Sequence, residues 1–254
     1  MKVLFLGNNY SNVSLACLER ITTDTTLTVL VGILDPKRGG ISHALAIGLQ
    51  RYDISTVIKK VAHVAACVVV DRLRWLGFPV KHIRSLQSLA ESCTLEYFFV
   101  QDINSTDCRA HIQDFKPQVI SVANFGQIMK SDIVNAPPQG CINMHPSLLP
   151  KYRGPTPSYW ILKNKEKISG VTIHFIVEGI DNGDIILQSE IAIEDGETEN
   201  SLDEKSTTLG ASMLLDALQL IREGNVERRK QNEHEATYYS FPRLQHKEQR
   251  AEER

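Results

Sequence analysis

At 254 residues, 42% hydrophobic and 23% charged, the chain has ordinary globular composition and the length for one large domain or a domain with an appendage. A net charge of -2, from 28 Lys and Arg against 30 Asp and Glu, excludes a whole-chain electrostatic grip on nucleic acid or anionic lipid and suits a small neutral or acidic substrate. No segment reaches the ~18 apolar residues that a membrane helix needs; the greasiest run, residues 61–70, is broken by His63, closed by Asp71 and Arg72, and reads as a buried helix.

Taken in chain order, residues 2–7 form a short apolar run ending in Gly7-Asn8-Asn9, then Val13, Leu15, Ala16 and Leu18 follow at helical spacing. That is a strand, a turn and a helix. Residues 27–34 repeat the strand signal, residues 36–40 are a loop, and residues 42–74 are helical. Further strands are expected at 79–83, 97–103, 118–123 and 141–145. Strands alternating with helices predict an α/β fold of the Rossmann-like kind, a mainly parallel sheet with flanking helices. From Gly170 the pattern becomes two extended runs, 171–177 and 185–193, expected to pair as a hairpin at the sheet edge. A helix over about 201–222 follows. The remainder is irregular, and the polar residues 245–254 are expected to fray.

The five cysteines, Cys17, Cys67, Cys93, Cys108 and Cys141, are scattered and contain no Cys-x-x-Cys pair. They read as reduced packing thiols of a cytoplasmic protein, and the N-terminal apolar run is too short for a signal peptide.

In an open parallel sheet, ligands collect beyond the carboxyl ends of the strands, which directs attention to the loops after Gly7, Ala123 and His145. The first loop lacks both dinucleotide and P-loop glycine spacing; either it binds a polar substrate, with Asn9 the candidate, or Ser11 or Asn12 caps the first helix. In a strand ending at His145, Asn143 and His145 project to the same face, so an amide donor and an imidazole converge. Pro146, Pro150 and Pro155 then enforce a stiff, non-helical loop whose backbone groups are free to meet a ligand. Downstream, the turn-rich segment 178–184 holds Glu178, Asp181 and Asp184. A carboxylate from it near the imidazole favours the protonated form and completes an acid/base site. His174, in the run 171–177, reads as core and not as a ligand, although it lies near the proposed site. No helix-spaced histidine pair supports a metal, so none is expected.

The run Asn143-x-His145-Pro-Ser-Leu-Leu-Pro150-x-x-Arg153-Gly154, followed by Gly170-Val-Thr-Ile-His174 and Gly179-Ile-Asp181-x-Gly-Asp-Ile-Ile186, resembles the catalytic core of formyltransferases that use 10-formyltetrahydrofolate. The likeness is nearest to the catalytic domain of methionyl-tRNA formyltransferase and to sugar N-formyltransferases, and more distant to glycinamide ribonucleotide formyltransferase. It implies a catalytic domain over residues 1–224 with a partly disordered C-terminal extension over 225–254. It also implies a catalytic triad of Asn143, His145 and Asp181, with 10-formyltetrahydrofolate as co-substrate. The folate pocket it implies comprises Phe125, Gly126, Gln127, Ile128 and Met129, then Ser147, Leu148, Leu149 and Pro150, then Val177, Gly179 and Ile180. Arg153 either touches an anionic substrate or tethers the proline-rich loop.

Only 15 residues follow Tyr239, too few for the barrel domain with which methionyl-tRNA formyltransferases hold tRNA. With the net charge of -2, this points to a small-molecule amine, such as an amino sugar nucleotide, and away from tRNA and membranes. The rival readings are a methionyl-tRNA formyltransferase-like enzyme without the tRNA-binding domain, for which the basic patches at Lys163, Lys165, Lys167 and residues 228–230 speak, release of formate to water, and non-catalytic folate binding. The sequence names neither the acceptor nor the oligomeric state.

Overall fold

A computed structural model describes residues 1–34, 62 and 85–242. The expected loop at 36–40, the helical region 42–74 apart from Ala62, the strand at 79–83 and the fraying end at 245–254 lie outside the described residues.

The described chain forms seven strands in one sheet: β1 (Lys2–Asn8), β2 (Thr28–Leu34), β3 (Glu96–Val100), β4 (Val119–Ala123), β5 (Cys141–His145), β6 (Ile168–Phe175) and β7 (Ile185–Ala192). Six helices accompany them: α1 (Asn12–Ile21), α2 (Leu86–Ser92), α3 (Thr106–Phe115), α4 (Ser131–Val134), α5 (Pro157–Lys163) and α6 (Glu199–Glu223). The strand order is β3-β2-β1-β4-β5-β6-β7. Strands β1 to β5 pair in parallel, and β6 and β7 add as an antiparallel hairpin at the edge. The Rossmann-like architecture expected from the alternating pattern is therefore present, hairpin included.

The apolar runs form strands because both faces of the sheet are covered, so alternate side chains all find apolar company. In β1, Val3 and Phe5 join the core beneath α1, α2 and α6, while Leu4 and Leu6 join the core beneath α3. All four are fully buried, each worth about 1.5–3 kcal/mol relative to exposure. Ser11 begins α1 by accepting a hydrogen bond from Ser14 N, as the capping reading anticipated. Helix α6 opens with a capping box between Thr198 and Ser201 and packs its apolar stripe into the first core.

Two boundaries differ from expectation by three residues. Strand β6 begins at Ile168 and not at 171, because Ser169 and Gly170 are held extended by their ladder to Ile191 and Glu190. The strand expected over 97–103 stops at Val100, where Gln127 takes the Ile103 amide through its side chain. Among the described cysteines, Cys17, Cys108 and Cys141 are buried packing thiols, and burial pushes Cys17 and Cys141 up to about 12. Cys93 is exposed, at the C-cap of α2, so the packing reading does not extend to it. No helix among the described residues is long and apolar enough to cross a membrane.

Candidate active site

The strand order reverses between β1 and β4, and Ser14 fastens that point. Its hydroxyl donates to Ala123 O at 2.7 Å and accepts from Asn8 N at 3.0 Å. A cleft of about 1340 Å³ opens alongside, lined by Asn143 and His145 of β5, His174 of β6 and Asp181 of the β6–β7 connection.

Each group has one orientation that its neighbours allow. His145 is buried, and its Nε2 lies 2.9 Å from Tyr152 O. A carbonyl only accepts, so Nε2 carries the hydrogen and Nδ1 is the nitrogen turned to Asp181, 3.6 Å from Oδ2. His174 lies directly across the antiparallel ladder from Asn143. Its Nδ1 donates to Phe175 O at 2.8 Å, leaving Nε2 as an acceptor, and the Asn143 amide donates to that lone pair at 3.2 Å. The neutral imidazole this requires is the form burial enforces: desolvation draws His174 below the ordinary histidine range, against the opposing pull of Asp181. One amide hydrogen of Asn143 is thereby committed, and the second is free for an acceptor in the cleft.

Asp181 sits between the two rings, with Oδ1 3.6 Å from His174 Nε2, and its Oδ2 accepts from Gly154 N at 3.0 Å. It holds a left-handed backbone, φ +50°, in a turn that crowds its neighbours. A Cβ on Gly183 would meet Phe175 O at 1.9 Å, so only glycine fits there. Gly154, at φ +112°, is constrained in the same way by Tyr239 O, 2.2 Å from where a Cβ would stand. The arrangement suits proton transfer at His145 Nδ1 beside a fixed carboxylate, with Asn143 Nδ2 as a donor to a developing negative charge. Among the described residues, no group of three or more His, Cys, Asp or Glu is placed to hold a metal.

The remaining residues named from the sequence divide into three sets. Phe125, Gly126, Gln127, Ile128, Met129, Val177, Gly179 and Ile180 line the cleft; Ile128, Val177 and Ile180 are exposed at its rim, while Gln127 spends its amide on Gln101 O and Ile103 N. Ser147, Leu148, Leu149 and Pro150 do not line it, because other parts of the fold satisfy the backbone groups that the sequence left free for a ligand. Thr172 Oγ1 donates to Ser147 O and accepts from Leu149 N, Gln188 takes Leu149 O, and Thr237 N takes Pro150 O. Asn9 and Arg153 also lie outside the lining. Asn9 is buried and takes amides of the first turn of α2, Gln87 N on its Oδ1 and Leu86 N on its carbonyl. Arg153 makes a two-pronged pair with Glu233 and donates twice to Gln231, which is the tethering alternative.

Sequence reasoning left His174 in the core and missed Tyr152, Gly154 and Gln231. Finding His174 needed the β5–β6 register, which the sequence does not print. The other three act through backbone groups or sit in a segment without periodicity.

This mostly parallel α/β sheet brings an amide, an imidazole and a carboxylate into one cleft, an arrangement suited to acid/base-assisted group transfer. Residues 58–218 match the family described as formyl transferase, and the chain belongs to that family. It is 44% identical over 127 residues to methionyl-tRNA formyltransferase of Clostridioides difficile (strain 630), a match covering 50% of this chain and 41% of that protein. The chain thus spans less than half of that relative. Among solved structures, the N-formyltransferase from Helicobacter canadensis, in complex with folinic acid and dTDP-3-aminofucose, superposes with a TM-score of 0.62 at 23% identity. That superposition covers 94% of this chain and 71% of the other. The formyltransferase PseJ from Anoxybacillus kamchatkensis, in complex with UDP-4,6-dideoxy-4-formamido-L-AltNAc and tetrahydrofolate, matches at 28% identity and a TM-score of 0.51. It covers 66% of this chain and 84% of that one.

Proposed function

We propose that the protein transfers a formyl group from 10-formyltetrahydrofolate to the amine of a small molecule, with an amino sugar nucleotide as the preferred acceptor class. The observation that carries this reading is the meeting of Asn143, His145 and Asp181 in one cleft.

The acceptor amine attacks the formyl carbon, giving a tetrahedral intermediate with an oxyanion and a cationic nitrogen. Asn143 Nδ2 donates its uncommitted hydrogen to the oxyanion; such a donor is worth about 100- to 1000-fold in rate. His145 takes the amine's proton at Nδ1, the nitrogen that faces Asp181, and returns it to N10 of the folate as the C–N bond breaks. Asp181 stabilises the imidazolium between those events. A flat pterin and its arm need apolar walls with a few fixed polar groups, and the exposed Ile128, Val177 and Ile180 of the cleft offer it apolar surface. The cleft's volume of about 1340 Å³ exceeds what one drug-sized ligand fills, roughly 300–1,000 Å³, so donor and acceptor fit together.

A second reading, methionyl-tRNA as acceptor, is favoured by the name of the curated relative. One assay separates the outcomes: 10-formyltetrahydrofolate is supplied with purified protein and, in turn, amino sugar nucleotides, simple amines, charged initiator tRNA, or buffer alone. Turnover that depends on a small amine supports the proposal. Formylated methionyl-tRNA supports the second reading, formate release in buffer alone marks a hydrolase, and folate binding without turnover overturns all three.

A further inference from the structure

Beyond α6 the chain leaves its helix and runs back across the site. Arg229 bridges to Ile185, Thr237 N donates to Pro150 O, and Arg153 exchanges backbone hydrogen bonds with Thr237 and Tyr239. Tyr239 stacks on Tyr152 and Trp160. Residues 225–240 are therefore a strap bound to the loop after β5 and to β7.

At the centre of this strap, the Gln231 side chain uses both its donors and its acceptor. Its Nε2 donates to Asp181 O at 2.8 Å and to Gly183 O at 2.8 Å, while Oε1 accepts from Arg153 Nη2 at 2.7 Å and Nε at 3.1 Å. The residue after Arg153 supplies the amide that holds the Asp181 carboxylate, Gly154 N to Oδ2 at 3.0 Å. The contacts close a ring: Gln231 to the Asp181 backbone, the Asp181 side chain to Gly154, and the neighbouring Arg153 back to Gln231. A left-handed aspartate persists only where its surroundings over-determine it, and this ring is what surrounds it.

We propose that Gln231 is a positioning residue for the formyl-transfer site, fixing the Asp181 turn so that its carboxylate stands between the two imidazoles. The inference rests on the function proposed above, and its test includes a readout that needs no substrate. Gln231→Glu keeps the length and the acceptors facing Arg153 but replaces both donors with oxygen, turned towards two carbonyls. Glu233→Gln, on the same strap, weakens the pair with Arg153 and leaves the Asp181 turn untouched.

In Gln231→Glu, kcat with 10-formyltetrahydrofolate and the amine that supports turnover is expected to fall at least about tenfold, since a misplacement near 1 Å costs up to about 100-fold. KM for the folate stays within about threefold, because the change acts on the reacting geometry and not on donor binding. Ring ¹⁵N resonances of His145 and His174, recorded without substrate, shift in the same direction as in Asp181→Asn, whereas Glu233→Gln leaves rates and resonances near wild type. Wild-type kcat in Gln231→Glu, unshifted ring resonances, or equal losses in Glu233→Gln would each overturn the assignment. If Gln231→Glu does not fold, Gln231→Met is read by the same measurements. A protein inactive with every amine but showing the ring shifts sinks the function and keeps the positioning role.

Discussion

Truncating Asn143 to alanine separates catalysis from packing, because the two losses have different sizes and different assays. The amide gives one hydrogen to His174 Nε2 at 3.2 Å and keeps the other for the oxyanion. Losing the second should lower kcat by about 100- to 1000-fold, or roughly 2.7–4 kcal/mol of transition-state stabilisation. Losing the first leaves a buried ring nitrogen without its donor, at about 1–3 kcal/mol of stability. For a domain of this size that is roughly 2–4 °C of Tm per kcal/mol. Steady-state formyl transfer with varied 10-formyltetrahydrofolate gives the first quantity, and thermal unfolding followed by circular dichroism gives the second. KM for the folate should change little, because the oxyanion does not exist in the ground state. A kcat within about fivefold of wild type, in a protein showing the expected loss of Tm, would reduce Asn143 to a partner of His174 and remove the oxyanion argument.

Gly154→Ala should lower both stability and turnover, since its Cβ would stand 2.2 Å from Tyr239 O at a φ of +112°. About 1–3 kcal/mol in urea unfolding is expected, and an unchanged midpoint would refute the tight approach. Acid should destabilise the fold through His174. Burial holds its native pKa below the ordinary histidine value of about 6.5, so the unfolded chain binds the proton first. Stability is therefore complete above pH ~6.5 and is lost as the pH falls below it, by up to ~1.4 kcal/mol per unit from this group; His174→Gln should flatten that slope in denaturant titrations. Among the described thiols, Cys93 should alkylate rapidly in native protein. Cys17 and Cys141, pushed up to about 12 by burial, should react only on unfolding, as peptide mass mapping would show.

The strands and their parallel pairing were legible because burial on both faces writes continuous apolar runs such as residues 3–6, and the hairpin because its two runs share one turn. Asn143 and His145 were legible through a period of two. For Asn9 and Arg153 the sequence leaves ligand contact and structural tether open, and the turn at 147–150 is carried only by the resemblance, because a loop in sequence shows its hydrogen-bonding groups and not the partners that spend them. Those partners, Gln87, Glu233, Gln231, Gln188, Thr172 and Thr237, lie in other elements, 23 or more positions away in every bond quoted above. His174 was illegible for a related reason. Its neighbour Asn143 is 31 positions away and is set by a ladder register that only the folded sheet defines.

The change from parallel to antiparallel pairing at β5 explains why the site needs its C-terminal strap. Because β6 runs against β5, it ends at Phe175 opposite Ile142, at the amino end of β5 and away from His145. The β6–β7 connection begins there and must bring Asp181 back to within 3.6 Å of the His145 ring. Such a return needs the left-handed Asp181, the close packing of Gly183 on Phe175, and something to hold the loop once it arrives. Strand β7 is paired with β6 along one edge, and its other edge meets Arg229 of the strap at Ile185. The hold therefore comes from beyond α6, through Gln231 and the backbone of residues 237–239, and a chain cut after α6 should keep its sheet and lose the alignment of its carboxylate. Thermal unfolding and histidine ring spectra of residues 1–226 would decide it: a cooperative transition with unshifted rings would show that the turn holds itself.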